Sequence, residues 1–484
     1  MQRKFVLNLG LLLLLNFLIK PFWIFGIDRT VQNTLSATDY GTYFALFNFS
    51  MLFNILLDFG VTNFNNRNIA QNAHLLGKYF SGIVVFKLLL AIIYFAVTFI
   101  VGAVIGYDEV RFKMLLFLSI NQFLISFIQY LRSNIAGLQL FALDSLFSVL
   151  DKTLMIVFCA ILIWGNWLSN DFTIMHFVYG QTLAYIIATV IIFSVVMVKA
   201  KHFTFKIDKT FLFKIIKQTA PFALLVLTMT FYYRLDAVML DYMLVDGEYQ
   251  AAIYAQAYRL MDAANQIGVL FAGILLPMFA FMIKNNESLG KLVRLSFSLI
   301  FIPSVILALV CWSSSDEIIN LLYHEKSEAT AILPILMLCF VAIASTYIFG
   351  TLLTANNNLK QLNILAITGL AINFVLNLIL IPEDKAYGSA MASMVTQIFV
   401  VVVQLLVVKK VFQFSMHLKF IFSILLILFA LIGLNYYLTN MYFIYRFILL
   451  AVTGMFLSLI FKIVSLNDLK NLLTSKRNTS FEEK

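Results

Sequence analysis

Long apolar runs alternate with short polar loops along the whole chain. A helix needs about 20 mostly apolar residues to cross the hydrocarbon layer of a membrane, because each backbone N–H and C=O must find its partner within the segment. The runs of that length lie near residues 5–25, 41–63, 79–106, 112–133, 145–165, 172–198, 211–233, 251–282, 291–312, 332–354, 360–381, 386–408, 419–438 and 443–464. We therefore predict an all-α polytopic membrane protein of about 14 transmembrane helices, numbered span 1 to span 14.

Basic residues are divided unevenly between the two sets of alternate loops. Most of the 34 Lys and Arg residues lie at the chain ends or in loops that follow even-numbered spans, which we name the charge-rich side. The opposite, charge-poor side holds Lys20, Arg29, Arg111, Lys113, Arg234, Lys326, Lys385 and Arg446. Because Lys and Arg beside a span resist translocation, we predict that the charge-rich side and both chain ends are cytoplasmic.

Composition limits the functions that remain. Hydrophobic residues make up 62% of the chain and charged residues 12%, with a mean hydropathy of +0.93. The net charge of +10 follows the loop pattern, so it does not indicate nucleic-acid binding. The sequence has no phosphate-binding P-loop, no HExxH motif and no paired cysteine spacing, so we expect no cofactor and no metal site. With short loops as well, the spans themselves must carry the function, which predicts a secondary transporter rather than an enzyme.

The first twelve spans form two sets of six around a basic loop at residues 199–217, a plan typical of duplicated transporters. We therefore predict an N-terminal lobe at residues 1–200, a C-terminal lobe at 201–410, and spans 13 and 14 with a charged tail at 411–484. The two lobes echo each other weakly. Asp28 follows the first apolar run before a turn that contains Tyr40, and Asp236 follows span 7 before a turn that contains Tyr254.

Polar residues recur at helical spacing inside several spans. Burying a charged group in a span costs about 2.5 kcal/mol or more on insertion scales, so such residues are expected to face a bundle interior or a hydrated cavity. The neutral members that we predict to line a cavity are Gln122, Gln129, Gln256, Gln266, Asn373 and Asn377. Stripes on both lobes predict a shared hydrated cleft. The alternative is that these side chains only bond neighbouring helices.

Charged residues near or within spans give the sharpest candidates. Arg259 lies inside span 8, where it either faces a ligand or pairs with Asp262 three residues later. Asp58 in span 2 is a possible proton or cation site, with a hydrogen bond to Asn54 as its alternative. Lys87 is expected to extend to the membrane surface.

Two further acids complete the candidate ion-coupling set. Asp236 and Asp262 join Asp58 in that set. Asp236 has an alternative, local pair with Arg234. Lys20, at the end of span 1, either faces the cavity or extends to the lipid headgroups.

Short motifs resemble the polysaccharide-export flippases of the Wzx type. In chain order they are Arg29, Asp39-Tyr40-Gly41-Thr42-Tyr43, Asp58-Phe59-Gly60, Arg67-Asn68-Ile69-Ala70, Leu235-Asp236-Ala237-Val238-Met239-Leu240, Tyr254-Ala255 and Pro277. These flippases belong to the MOP superfamily, which also contains the MATE multidrug exporters and the lipid II flippase. The plan of six, six and two spans extends the resemblance over the whole chain.

The resemblance implies a function. It implies that an undecaprenyl-diphosphate-linked oligosaccharide is moved from the cytoplasmic to the outer leaflet of a bacterial inner membrane, for surface polysaccharide biosynthesis. It also implies a cationic cavity for the diphosphate, which Arg259 matches best, followed by Lys20, Arg29 and Arg234. Protons or sodium ions are possible coupling ions, and membrane lipids, a polysaccharide polymerase and glycosyltransferases are possible partners.

Two other functions stay open at this point. The same fold with acids dominating the cavity would suit a MATE-like, cation-coupled exporter of small molecules, for which Asp58 and Asp236 would be available. A membrane-embedded glycosyltransferase or polysaccharide polymerase would also be polytopic and apolar. Such enzymes are expected to carry a large external loop, which the predicted topology lacks.

Overall fold

The structure of the chain is a computed structural model that describes residues 14–62, 65–66, 69, 74, 76–165, 172–200, 209–323, 328–414, 418–461 and 463. The start of span 1, most of the motif at 67–70 and the charged tail lie outside the described residues. The described residues are almost all helical and contain no strand. Eleven of the helices are long and apolar enough to cross a membrane.

The helices follow the predicted order. Spans 3 to 10 are Leu76–Ile105, Glu109–Gly137, Phe141–Trp164, Ile174–Ala200, Lys209–Met243, Gly247–Lys284, Gly290–Ser313 and Ala329–Ala355. Spans 11 and 12 together form Leu359–Phe412, and spans 13 and 14 are Leu418–Tyr437 and Phe443–Ile460. A short helix, Ser315–Leu322, lies between spans 9 and 10. The predicted all-α polytopic fold is confirmed.

Spans 1 and 2 are interrupted helices. Residues 14–21 of span 1 are helical, and the helix widens to a π-helix over Phe22–Asp28 before it ends with Arg29–Thr34. Span 2 is α-helical over Ala37–Leu52, becomes a 3-10 helix at Asn54–Leu57, and turns at Gly60, where φ is +79°. The sequence predicted an unbroken helix over 41–63, and this prediction is wrong beyond Leu52.

Spans 11 and 12 meet at a sharp kink. Lys385 has φ +52° and ψ −131°, which separates two helices that otherwise run on without a loop. Pro382 precedes this point, and a Cβ on Gly388 would lie 2.3 Å from the carbonyl oxygen of Leu380. The backbone therefore closes on itself at a position that only glycine allows. The kink lies where the sequence predicted the boundary between residues 381 and 386.

The helices pack into two compact units. Unit 1 comprises Met1–Arg259 and Ala366–Ser393, and unit 2 comprises Leu260–Leu365 and Met394–Lys484. Spans 8, 11 and 12 therefore contribute to both units. The predicted division at residues 200 and 410 follows the sequence repeat rather than this packing, and it stays a prediction.

Within unit 1, aromatic and aliphatic side chains of spans 3, 4 and 6 form a buried core. Phe80 stacks on Tyr130 with ring centroids 6.1 Å apart. Span 2 approaches span 8 even more closely, because a Cβ on Gly41 would lie 1.7 Å from the carbonyl oxygen of Glu248. Any larger residue at position 41 requires the two helices to separate. Spans 2 and 8 thus touch through their backbones at the charge-poor end.

Within unit 2, a buried arginine fixes the loop between spans 13 and 14. Arg446 is 1% exposed, and its guanidinium donates to the carbonyl oxygens of Leu438 and Met441 at 3.0 and 2.8 Å. It also donates to the hydroxyls of Ser313 and Ser314, each at 2.6 Å. Because a buried cation needs acceptors for its N–H groups, this set attaches the last hairpin to the end of span 9.

Candidate functional site

The first candidate group in unit 1 is a carboxylate bound by a tyrosine. Asp28 lies at the end of the π-helical stretch of span 1 and is 1% exposed. The hydroxyl of Tyr40, which begins span 2, lies 3.1 and 3.0 Å from its two carboxylate oxygens. Gln32 donates from one turn later at 3.2 Å. The π-helix, a form often found at functional sites, thus sets this acid beside the next helix.

The second group repeats this arrangement in the other half of the chain. Asp236 in span 7 is 2% exposed, and the hydroxyl of Tyr254 in span 8 donates to it at 2.8 Å. The pairs Asp28 with Tyr40 and Asp236 with Tyr254 therefore occupy equivalent places in their halves. In each half, the acid and the tyrosine that carry the weak sequence echo are hydrogen-bonded to each other.

The two carboxylates differ in their remaining partners. Asp28 forms an ion pair with Arg259, whose Nε lies 3.0 Å from Oδ2. Arg259 also donates to the Tyr40 hydroxyl at 3.1 Å, and its guanidinium carbon lies 5.4 Å from the ring centre of Phe44. Its side chain is 12% exposed. A bidentate, aromatic-supported arginine of this kind is held rigidly and keeps a small opening to its surroundings.

Neutral groups surround Asp236 instead. Asn377 and Asn373 of span 11 donate to Oδ1 at 2.8 and 3.3 Å, and the hydroxyl of Ser393 in span 12 donates to Oδ2. Among the described residues, no Lys, Arg or His forms an ion pair with this carboxylate. The Oδ1 atom of Asn377 is buried and accepts no hydrogen bond from them. Several oxygen atoms therefore converge here without a positive charge.

A third acid is already neutralised. Asp58, in the turn that follows the 3-10 helix, lies 2.6 Å from the ammonium of Lys87 in span 3. Lys87 is 1% exposed and also donates to the Ser126 hydroxyl at 2.8 Å and to the Leu57 carbonyl oxygen at 3.1 Å. The expectation that Lys87 extends to the membrane surface is wrong, because its charge is satisfied inside the lobe.

Spans 1, 4 and 5 each contribute one basic side chain to a further group in unit 1. Lys152 donates to the hydroxyl of Tyr185 at 2.9 Å and lies 5.7 Å from the ring centre of Trp23. Lys20 lies close enough to Lys152, Asp151 and Arg132 to feel their charges. Lys152 lies 3.6 Å from the Asp151 carboxylate and Arg132 lies 2.9 Å from that of Asp144, and the two basic side chains are about a quarter exposed. We name Lys20, Arg132 and Lys152, with Trp23 and Tyr185, the first-lobe cation group.

An ion-pair cluster lies at the charge-poor ends of spans 4, 7 and 8. Arg111 contacts Asp241 at 2.7 Å and Glu248 at 2.8 Å. Asp241 is almost fully buried by this contact. The cluster lies at the same end as the backbone contact at Gly41, so spans of both halves are fastened together there.

A family model described as "Polysaccharide biosynthesis protein" matches residues 8–283, which is more than half of the 484-residue chain. The chain belongs to this family. The suspected resemblance to polysaccharide-export flippases is thereby confirmed at the level of the family. No curated protein sequence matches the chain.

Solved structures share the fold of this polysaccharide biosynthesis protein. The lipid II flippase MurJ in an inward closed conformation is 17% identical, with a TM-score of 0.66 over 94% of this chain and 99% of that one. An inward-facing MATE multidrug resistance transporter of the MOP superfamily is 14% identical, with a TM-score of 0.60 over 81% and 96%. A MOP superfamily transporter from Pyrococcus furiosus is 15% identical, with a TM-score of 0.56 over 84% and 95%. The fold is therefore one that a solved lipid flippase and solved transporters share.

The structure distributes the predicted site residues of this family member over both units. Arg259, Lys20, Arg29, Arg234, Asp58, Asp236, Gln122, Gln129, Gln256, Asn373 and Asn377 belong to unit 1, and Asp262 and Gln266 belong to unit 2. Arg234 lies 3.3 Å from the amide oxygen of Asn48 and 5.6 Å from the ring centre of Tyr258. Arg29 is half-buried at the start of its helical segment.

Several predicted cavity residues instead bond neighbouring helices. Gln122 accepts a hydrogen bond from Asn54 at 2.7 Å, so Asn54 contacts span 4 rather than Asp58. Asn373 and Asn377 bind Asp236. Gln129 is exposed. These hydrogen bonds join span 2 to span 4 and span 7 to span 11, as the alternative interpretation of the polar residues expects.

Sequence reasoning missed three functional candidates. Asp28 was noted only as part of the echo, although its position before a Tyr-bearing turn matches Asp236. Lys152 lies inside the predicted span at 145–165 and was given no role there; the signal that could have found it is a lysine next to Asp151 within an apolar span. Arg111 was counted only as a loop charge. Its partners lie more than 100 residues away, so no local pattern could reveal them.

Proposed function

We propose that this protein moves an undecaprenyl-diphosphate-linked oligosaccharide from the cytoplasmic to the outer leaflet of a bacterial inner membrane, for surface polysaccharide biosynthesis. Transport proceeds by alternating access of the two lobes to the two membrane faces. Both chain ends lie in the cytoplasm. A polysaccharide polymerase and glycosyltransferases are the expected partners in the same process.

The observation that carries this proposal is an apolar cavity beside span 14. It has a volume of about 540 Å³ within unit 2 and is lined by spans 8, 9, 10 and 14. Pro303, Phe340, Phe447 and Met455 are among its lining residues. An isoprenoid chain needs an apolar path of this kind, whereas a small polar drug does not.

The diphosphate requires cations, and unit 1 supplies them. Arg259 is our first choice, followed by Lys20, Arg29 and Arg234. In the present conformation Arg259 binds the carboxylate of Asp28. A diphosphate is tetrahedral at each phosphorus, but two of its oxygens can still accept a bidentate pair of hydrogen bonds, so it replaces Asp28 without leaving the guanidinium unsatisfied. The first-lobe cation group, with Trp23 and Tyr185, then contacts the rest of the headgroup.

The contacts at the charge-poor end support alternating access. Arg111, Asp241 and Glu248 join spans of the two halves, and the spans touch at Gly41. We infer that this end is closed here and that transport requires the cluster to separate. The pair of Arg111 with Glu248 is partly exposed and can exchange for water at modest cost. Separating Arg111 from the buried Asp241 costs more, and it requires water to reach that carboxylate.

Asp236 is our candidate for energy coupling. A buried ionised carboxylate without a cation is costly, so this acid needs a proton or a small cation from outside. The oxygens of Asp236, Asn373, Asn377 and Ser393 are hard ligands of the type that alkali and alkaline-earth cations prefer. Asp58, which already has Lys87, and Asp262 are weaker candidates.

The decisive experiment deletes the gene and measures lipid-linked saccharides by mass spectrometry. We expect the complete lipid-linked unit to accumulate and surface glycan to disappear. The wild-type gene restores the glycan, and Arg259→Ala does not. Arg234→Ala and Lys20→Ala reduce it less, because Arg259 is the residue whose guanidinium binds the Asp28 carboxylate that the diphosphate replaces.

The control is Lys360→Ala, which removes an exposed lysine of the charge-rich side. It should restore the glycan fully. Normal surface glycan in the deletion strain, together with increased sensitivity to cationic drugs, would refute the proposal and favour a MATE-like exporter. Accumulation of unpolymerised glycan on the outer face would instead favour a polymerase.

A further inference from the structure

A second cavity opens at the charge-rich end of unit 2. It lies between the beginnings of spans 9 and 13, the end of span 12 and a residue of span 10, and its volume is about 610 Å³. Its aromatic lining consists of Phe297, Phe349, Phe412, Phe414 and Phe420. We name it the end cavity. Its size lies within the range of about 300–1,000 Å³ that is usual for sites that bind small molecules.

The interior of the end cavity is open space at the level of span 9. A Cβ on Gly290, in the first turn of this helix, would have no atom within 4 Å. Gly290 is one of the lining residues. Phe297 and Phe349 stack with ring centroids 5.7 Å apart and form an apolar wall. The cavity can therefore accept a chain of methylene groups without displacing a side chain.

The lining also carries two positive charges. Arg294 and Lys409 line the end cavity, and among the described residues no carboxylate forms an ion pair with either. Glu287 is the acidic residue of the lining. Lys410 and Lys419 are exposed at the same end of the molecule. An apolar interior with unpaired cations beside it is complementary to an amphipathic anion.

We propose that the end cavity binds an anionic glycerophospholipid of the surrounding membrane. Its phosphate contacts Arg294 and Lys409, and an acyl chain lies among the phenylalanines. The site lies at the charge-rich ends of spans 9, 12 and 13, and the ends of membrane-spanning helices are where lipid phosphates are expected. Basic pockets between helices at this level are suited to acidic headgroups. The proposal goes beyond the transport function, since it holds whatever molecule is transported.

Such a lipid would have a structural effect within unit 2. Spans 9 and 12 belong to the twelve-span core, whereas span 13 belongs to the added pair. A lipid among all three would attach span 13 to the core at the charge-rich end, as Arg446 attaches the same hairpin at the other end. Because it binds the folded state, it should also stabilise the purified protein.

The test titrates the purified full-length protein in detergent with dioleoyl-phosphatidylglycerol or dioleoyl-phosphatidylcholine and measures intact complexes by mass spectrometry. We expect a Kd at least tenfold lower for the anionic lipid. The double variant Arg294→Gln/Lys409→Gln should raise that Kd about 25-fold, at about fivefold for each basic residue. Its Kd for the zwitterionic lipid should not change.

Matched variants separate charge from folding. Lys284→Gln/Lys360→Gln removes two exposed lysines of the same side of unit 2 and should change neither Kd. Arg294→Lys keeps the charge and should keep the preference. Gly290→Leu fills the cavity and should weaken both lipids equally.

Three results would overturn the proposal. The first is equal Kd values for the two lipids. The second is an equal loss of affinity in the control double variant. The third is displacement of phosphatidylglycerol by undecaprenyl phosphate at lower concentration, which would assign the end cavity to the transported lipid.

Discussion

Asp28 and Asp236 each lie near the end of the first span of their half of the chain, but their carboxylates bind different partners. Each is buried and each accepts a hydrogen bond from a tyrosine of the following span. Asp28 also meets Arg259, whereas Asp236 meets amides and a hydroxyl. The carboxylate of the first half is therefore balanced by an arginine from span 8 of the second half. For Asp236, we propose that the balancing positive charge comes from solution.

From this difference in partners, we propose different roles for the Asp28 site and the Asp236 site. Removing a partner from a buried ion pair is costly, so the Asp28 site resists change unless an equivalent anion arrives. A buried carboxylate with neutral donors responds instead to protons or cations. The first site suits an anionic headgroup, and the second suits coupling. The predictions below test this contrast on the scale of the free energy of unfolding.

The largest effect should come from Arg259→Ala. It leaves Asp28 buried without a cation, which should cost about 3–5 kcal/mol of unfolding free energy. Denaturant unfolding of the purified protein in detergent measures this loss. The double variant Arg259→Ala/Asp28→Asn should recover a large part of it. Equal stability of the single and double variants would show that the ion pair does not hold the site together.

The two tyrosines should differ next. Tyr40→Phe removes a hydrogen bond to an ionised carboxylate and should cost about 1.5–3 kcal/mol. Tyr254→Phe should cost about 0.5–1.5 kcal/mol, because we infer that Asp236 is neutral when no cation is bound. Parallel unfolding curves in sodium-free buffer make the comparison. Equal losses would contradict the proposed difference in charge.

Asp236→Asn should change stability by only about 1 kcal/mol, because the amide keeps the shape and leaves no cation unpaired. Restoration of surface glycan should nevertheless fail. The glycan assay with matched protein levels measures this, and Asp384→Asn, at an exposed acid beside the kink at Lys385, is the control. A variant that is stable and fully active would exclude Asp236 from coupling.

The smallest effect is expected at an exposed pair outside the spans. Lys385 lies 2.8 Å from Asp246, and this hydrogen bond lowers the pKa of the Asp246 carboxyl from 3.8. A lowered pKa stabilises the fold at neutral pH, and that contribution disappears as pH falls below about 4. Because both groups are exposed, it should not exceed about 1 kcal/mol. Asp246→Asn should therefore reduce stability slightly at pH 7 and not at pH 3.

The sequence predicts the helices of this fold well and their interruptions poorly. Span length and loop charge are local properties, so apolar runs and the break near Lys385 could be found directly. The end of the helix at Leu52 could not, since the following residues are as apolar as the helix itself. Only Gly60 marked the turn.

The site was predictable where the repeat helps and unpredictable where partners are distant. The repeated Asp and Tyr positions revealed both carboxylate sites, although only Asp236 was named as a candidate. Asn373 and Asn377 could be assigned to one helix face by their spacing of four. Periodicity could not indicate that this face meets Asp236, which lies 137 and 141 residues away. The prediction for Lys87 was wrong for the same reason, because its partner Asp58 comes from another span.

The contact at Gly41 leaves no room for a larger residue, which has a consequence for the proposed transport cycle. With only 1.7 Å between a hypothetical Cβ and the Glu248 oxygen, a single methyl group would act as a wedge between spans 2 and 8. Gly41→Ala would then keep spans 2 and 8 apart at the charge-poor end, and Arg111 would lose its ion pairs with Asp241 and Glu248. The methyl group of alanine would therefore be enough to prevent this end from closing and to stop the proposed cycle.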